Sequence, residues 1–186
     1  MRHSRIHAAS CTCHLTDRRQ LLRMTGLAAA GAAAVAAFGL PRLARAAGAT
    51  EALLLSCMDY RLMDDVARYM DGRKLTEKYD HVILAGASIG VTNEKYPAWG
   101  QTFWDHVGVA AQLHHIKKVI VMDHRDCGAY KLFLGPEHAK DRAVETAAHG
   151  REAAKLKTAI KAKHPDLEVE LLLMALDGSV ESLAGV

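Results

Sequence analysis

Apolar residues in this chain gather into short unbroken runs, separated by longer stretches with helical spacing. Residues 52–56 (ALLLS), 81–85 (HVILA), 118–123 (KVIVMD) and 168–176 (EVELLLMAL) are such runs. Their length and lack of alternation predict strands buried on both faces. Between them, Leu62, Val66 and Tyr69 mark one face of a helix over residues 61–70, with Asp64 and Asp65 at its positive end. Residues 97–114 repeat Phe103, Val107, Ala110, Ala111 and His114 at helical spacing, opened by Pro97 at a first-turn position. A short helix is expected after Cys127. Residues 136–163 predict a long charged helix, with Gly150 as its break point and Lys155, Lys157, Lys161 and Lys163 as a solvated face. Asp177-Gly178 signals a turn into a short edge strand over residues 179–183. Strands alternating with helices imply an α/β fold. Its central sheet has four mostly parallel strands and an antiparallel edge strand, with helices on both faces.

The 186 residues suffice for one domain with a real core, and the charge is unevenly spread. Seven of the 24 Lys and Arg but only one of the 21 acids, Asp17, fall in residues 1–46. Residues 47–186 therefore hold 17 bases against 20 acids and carry no nucleic-acid footprint. The N-terminal segment reads as an export signal. Asp17-Arg18-Arg19-Gln20-Leu21-Leu22-Arg23 resembles the twin-arginine motif, a weakly apolar Ala/Gly run follows to Leu40, and Ala44-x-Ala46 fits a cleavage site. The expectation is a signal peptide over residues 1–46, recognised by the twin-arginine (Tat) export machinery, and a mature periplasmic domain over 47–186. The competing expectation is an uncleaved inner-membrane anchor facing the periplasm.

Removing that segment leaves Cys57 and Cys127 as the only cysteines. Cys57 opens Cys57-Met58-Asp59-Tyr60-Arg61, and Cys127 closes His124-Arg125-Asp126-Cys127. Two thiolates and an imidazole are a soft donor set suited to zinc, and three ligands leave a fourth tetrahedral position for water. Cys57 follows the first strand and the His124/Cys127 pair follows the third. Both groups therefore lie at the carboxyl edge of the sheet, where such folds bind ligands. In an oxidising compartment a Cys57–Cys127 disulfide is the plain alternative. A second-shell acceptor for His124 is expected, with Asp123 and Asp126 nearby.

Cys-x-Asp-x-Arg followed some sixty residues later by His-x-x-Cys, in this βα order, resembles the β-class carbonic anhydrases over about residues 51–183. The resemblance implies that Cys57, His124 and Cys127 bind zinc (Zn2+). It implies that Asp59 accepts a hydrogen bond from a zinc-bound water or hydroxide, and that Arg61 pairs with Asp59 and orients it. The implied activity is reversible hydration of carbon dioxide to bicarbonate by a homodimer or higher homo-oligomer. Hydrolysis of carbonyl sulfide or carbon disulfide on the same scaffold, and a non-catalytic zinc-binding domain, are the alternatives. Met58, Tyr60 and Asp123 depart from the family pattern, as does Leu84-Ala85-Gly86-Ala87-Ser88 after the second strand. His81, His106, His114 and His115 are available as proton shuttles, with none assigned. Trp99, Phe103 and Trp104, with Tyr96, form an aromatic cluster expected in the core or at a subunit contact, or else lining the pocket.

Overall fold

The computed structural model describes residues 48–183. The expected signal over residues 1–46 lies outside them. Five strands form one sheet in the order β2-β1-β3-β4-β5. They are β1 (Ala52–Ser56), β2 (Tyr79–Ile83), β3 (Lys118–His124), β4 (Glu168–Met174) and β5 (Val180–Ser182). The first four are parallel, and β5 pairs antiparallel with β4. The helices are α1 (Met63–Gly72), α2 (Ser88–Thr92), α3 (Pro97–Val109), α4 (Gly128–Leu134) and α5 (Arg142–Lys163). A π-helical turn, Ala110–His114, extends α3 and ends at His115 in the left-handed region. A 3-10 turn, Pro136–Ala139, precedes α5.

Every residue of β1 is buried, and alternate side chains enter two cores. Leu53 and Leu55 pack with Val119, Val121, Leu171 and Leu173 under α3 and α5, through Phe103, Val107, Leu156 and Ile160. Ala52 and Leu54 pack with Ile120, Met122, Leu172 and Met174 under α1, through Leu62, Val66 and Met70. Helices thus cover both faces, and unbroken apolar runs are what such doubly covered strands need. Among the described residues, no helix is long and apolar enough to cross a membrane.

Element boundaries differ from the sequence reading where pairing or tertiary contact decides them. β2 covers Tyr79–Ile83 rather than residues 81–85, because its register runs from Ala52 opposite Tyr79 to Ser56 opposite Ile83. The polar Tyr79 and Asp80 are drawn into the strand by β1, and Ala85 enters the following turn. β4 stops at Met174, since Ala175 N–H donates to the Ser179 carbonyl at 2.8 Å and begins the turn into β5. α1 starts at Met63, which leaves Arg61 outside the helix. Gly150 does not break α5. It is buried within a continuous helix of 22 residues, and one glycine costs only about 1 kcal/mol against that packing. The lysine face is exposed as expected, and within it Lys161 Nζ donates to the Pro165 and Leu167 carbonyls while Lys163 lies over the Trp104 ring.

Candidate metal centre

The carboxyl ends of β1 and β3, adjacent in the sheet, bring two loops together. Cys57 follows β1 directly, and His124 is the last residue of β3 rather than the first beyond it. Cys127 immediately precedes α4. The donor atoms of Cys57, His124 and Cys127 all lie within 4.8 Å of one another. The two sulfurs are 4.0 Å apart and both thiols are free, so the expected alternative of a disulfide is not formed.

Each donor is held by its surroundings. Gly86 N–H donates to Cys57 Sγ at 3.2 Å. Gly86 has φ of +82°, and a Cβ there would lie 2.6 Å from Ile89 Cγ2 and 2.8 Å from Ala129 Cβ. A glycine is therefore required for this N–H to reach the sulfur. His124 Nδ1 lies 2.8 Å from the Arg125 carbonyl, which can only accept. The bond fixes the proton on Nδ1 and leaves Nε2 bare. Nε2 is buried and has no hydrogen-bond partner. An orphaned acceptor beside two sulfurs is what a metal ion would satisfy. The second-shell acceptor is thus a backbone carbonyl, not the carboxylate of Asp123 or Asp126.

The thiols share charge unequally. The hydrogen bond from Cys127 draws Cys57 down to about 4 against the effect of burial, with His124 and the Gly86 N–H adding to the pull. The same contact, together with burial, pushes Cys127 well above its ordinary value. One thiolate is ready, and the other proton must leave when a cation arrives. Two sulfurs and one neutral imidazole in a closed triangle fit zinc.

Asp59 and Arg61 occupy the turn between Cys57 and α1. Arg61 Nε donates to Asp59 Oδ1 at 2.9 Å and Nη2 to Oδ2 at 2.8 Å, while the Arg61 N–H donates to Oδ1 at 3.0 Å. The side-chain bonds from Arg61 hold Asp59 down to about 2. Asp59 Oδ2 is 3.8 Å from His124 Nε2, so an anionic acceptor borders the three donors. Arg61 also reaches the second loop, through Nη1 to Asp126 Oδ2 at 2.9 Å and Nη2 to the Asp126 carbonyl at 3.1 Å. All five residues expected from the sequence therefore meet at one place.

Several residues at this place had no individual sequence signal. Glu145, nearly buried on α5, accepts from Arg125 Nη1 at 2.8 Å and from the Asp126 N–H at 2.6 Å. It thereby supports Asp126 at φ of 54°, the left-handed step that turns the chain into Cys127. Asp123, 1% exposed, takes four donors. Ser88 N–H bonds Oδ1 at 2.9 Å, while the Ser88 hydroxyl, the Tyr130 hydroxyl and His149 Nδ1 converge on Oδ2 at 2.5, 2.7 and 3.2 Å. Asp123, one of the departures from the family pattern, thus ties α2, α4 and α5 to the end of β3 beside His124. Met58 and Tyr60 are 66% and 86% exposed and do not line the cleft.

The cleft itself is lined by Ser56, Leu62, Val66, Met122 and Met174 together with Cys57, Asp59, Asp123 and His124. No residue of the aromatic cluster borders it. Tyr96 and Trp99 stack at 4.5 Å beside Phe133, and Phe103 packs edge-on to Trp104 at 5.0 Å.

Comparison with known proteins agrees with this geometry. The family model described as "Putative carbonic anhydrase" matches residues 47–183. An uncharacterized protein of Rickettsia conorii is 43% identical over 131 residues, 70% of this chain and 70% of that protein. A carbonic anhydrase from Streptococcus mutans superposes with a TM-score of 0.52 at 17% identity, covering 86% of this chain and 96% of that one. A structure described among two tetrameric β-carbonic anhydrases of Sordaria macrospora gives a TM-score of 0.51 at 16% identity, covering 91% and 97%. At these identities the structural likeness is one of fold.

Proposed function

The chain belongs to the carbonic anhydrase family whose model it matches over residues 47–183, and from that premise we propose that it catalyses the zinc-dependent reversible hydration of carbon dioxide to bicarbonate. The observation that carries the proposal is the bare, buried Nε2 of His124, set among two sulfurs and the Arg61-held carboxylate of Asp59. Cys57, His124 and Cys127 hold the ion. When bound, zinc supplies Lewis-acid activation of water at neutral pH, as it does in the carbonic anhydrases built on three histidines.

The remaining work falls to the protein. Asp59, ionised and fixed by the two-point contact with Arg61, accepts a hydrogen bond from the nucleophilic water and aims its lone pair at the substrate carbon. The Arg61–Asp126 contacts keep this acceptor in register with the loop that carries Cys127. Leu62, Val66, Met122 and Met174 give the cleft an apolar wall that excludes bulk water. Hydrolysis of carbonyl sulfide or carbon disulfide on the same scaffold is the second reading. A passive zinc store fits less well, because it has no use for an oriented anionic acceptor beside its ligands.

Turnover of the three gases by zinc-quantified protein tests the substrate. Carbon dioxide is expected to turn over fastest; a faster rate on either sulfur gas would transfer the assignment to the second reading. Export to the periplasm through the twin-arginine machinery rests on the N-terminal sequence, and the family match begins at residue 47, just past the expected cleavage site. Assembly into a homodimer or larger homo-oligomer draws support from the tetrameric relatives of the same fold.

A further inference from the structure

Hydration leaves a proton in a cleft walled by apolar side chains, and that proton needs a path to buffer. One hydroxyl in the cleft wall leads outward. Ser56, 1% exposed, ends β1 and lines the cleft beside Cys57, Asp59 and His124. Its Oγ lies 2.7 Å from Nε2 of His81. His81 belongs to β2, the edge strand of the sheet, and is exposed. A buried hydroxyl inside the cleft is thus joined by one hydrogen bond to an imidazole that meets solvent.

Among the described residues, no other histidine bonds a hydroxyl that lines the cleft. His106 bonds the Thr102 carbonyl within its own helix, His114 pairs with Asp80, and His138 bonds the Gly135 carbonyl. His149 is fully buried behind Asp123. We infer that His81 is the proton-relay residue of the site, receiving protons from the cleft through the Ser56 hydroxyl and releasing them to buffer at the sheet edge. The inference rests on the hydration reading above.

The step balances without a further reactant. Water in the cleft gives a proton to Ser56 Oγ as the Ser56 hydroxyl proton moves to His81 Nε2. The resulting imidazolium gives one proton to buffer, and exchange with solvent restores the neutral ring with Nε2 bare. Partial burial holds His81 below the ordinary imidazole value, so it is neutral and able to accept near pH 7.

Oxygen-18 exchange between carbon dioxide and water separates interconversion at the substrate carbon from proton-limited release of labelled water. In zinc-quantified His81→Ala and Ser56→Ala, release of labelled water should fall at least about ten-fold, while interconversion falls less than about two-fold. Small imidazole buffers should rescue release in His81→Ala but not in Ser56→Ala. A second readout is independent of turnover. In 15N NMR of the zinc-loaded protein, neutral His81 should carry its proton on Nδ1, and its Nε2 resonance should move in Ser56→Ala. Equal losses of both rates, no loss of release, or an unmoved Nε2 resonance would each overturn the relay. A wild-type protein that catalyses no exchange at all would instead overturn the hydration reading beneath it.

Discussion

At the residue scale, the proposed chemistry is concentrated in Asp59. Its carboxylate accepts three bonds from Arg61 and stands 3.8 Å from the bare nitrogen of His124. Asp59→Asn should keep about one zinc per chain yet lose hydration by about 100-fold, since an amide is a weaker acceptor and offers a competing donor. Retained full activity would remove Asp59 from the mechanism. The pH consequence has a definite sign. Arg61 depresses Asp59 from 3.8 to about 2, so the ion pair's contribution is fully present above the ordinary value and is lost only as pH falls through about 2. The rate profile should therefore show no break from Asp59 at about pH 4, and any acid limb nearer neutrality belongs to other groups. A break at that pH that disappears in Asp59→Asn would contradict this. The resemblance of Cys57-x-Asp59-x-Arg61 to the family motif singled out Asp59 and Arg61. The exposure of Met58 and Tyr60 was not readable there, because which side chain of a turn faces the cleft depends on how α1 leaves it.

At the scale of elements, the site depends on α5, a helix distant in sequence. Glu145 holds both the Arg125 side chain and the Asp126 N–H. Removing it in Glu145→Ala should weaken zinc retention by about ten-fold or more, as loss of an outer-shell support commonly does. Competition with a chromogenic chelator measures this, and unchanged affinity would deny Glu145 that role. Asp123 is the other anchor. Asp123→Ala strands the Ser88, Tyr130 and His149 donors in the core, and should cost about 3 kcal/mol. That corresponds to a fall of about 10 °C in Tm for a domain of this size; a fall below about 2 °C would mean that the network relaxes freely. Neither partner was apparent from the sequence. Glu145 and His149 sit in a charged, Ala-rich stretch whose pattern reads as solvent-facing. Only the packing of α5 across β3 turns that face inward. The strands were legible, since burial on both sides imposes unbroken apolar runs, but their ends were not. β2 begins at Tyr79 because β1 supplies the partner, and no local signal in Tyr79-Asp80 declares it.

At the scale of the whole molecule, the sheet order explains why two motifs some sixty residues apart make one centre. β1 and β3 are neighbours, and the candidate donors sit at their carboxyl ends: Cys57 just after β1, His124 at the end of β3 and Cys127 three residues on. That juxtaposition is legible in the alternation of strands and helices along the sequence. The aromatic cluster was not so transparent. It divides between the core under α3 and a separate stack with Phe133, leaving aliphatic and thioether groups to shape the cleft. With the free thiols 4.0 Å apart, an ion held between them would guard them against oxidation. Zinc-loaded protein exposed to mild oxidant should keep both thiols, whereas chelator-stripped protein should lose two daltons by intact mass as the Cys57–Cys127 bond forms. Oxidation at the same rate in both would argue against metal at these sulfurs.

The central claim is that this triangle of donors, with its Arg-held carboxylate, hydrates carbon dioxide. Stopped-flow hydration on protein of measured zinc content tests it most directly. The expected rate is far above buffer, scales with zinc and vanishes in Cys57→Ala, which should hold no metal. Protein carrying one zinc per chain with no hydration above buffer would contradict it.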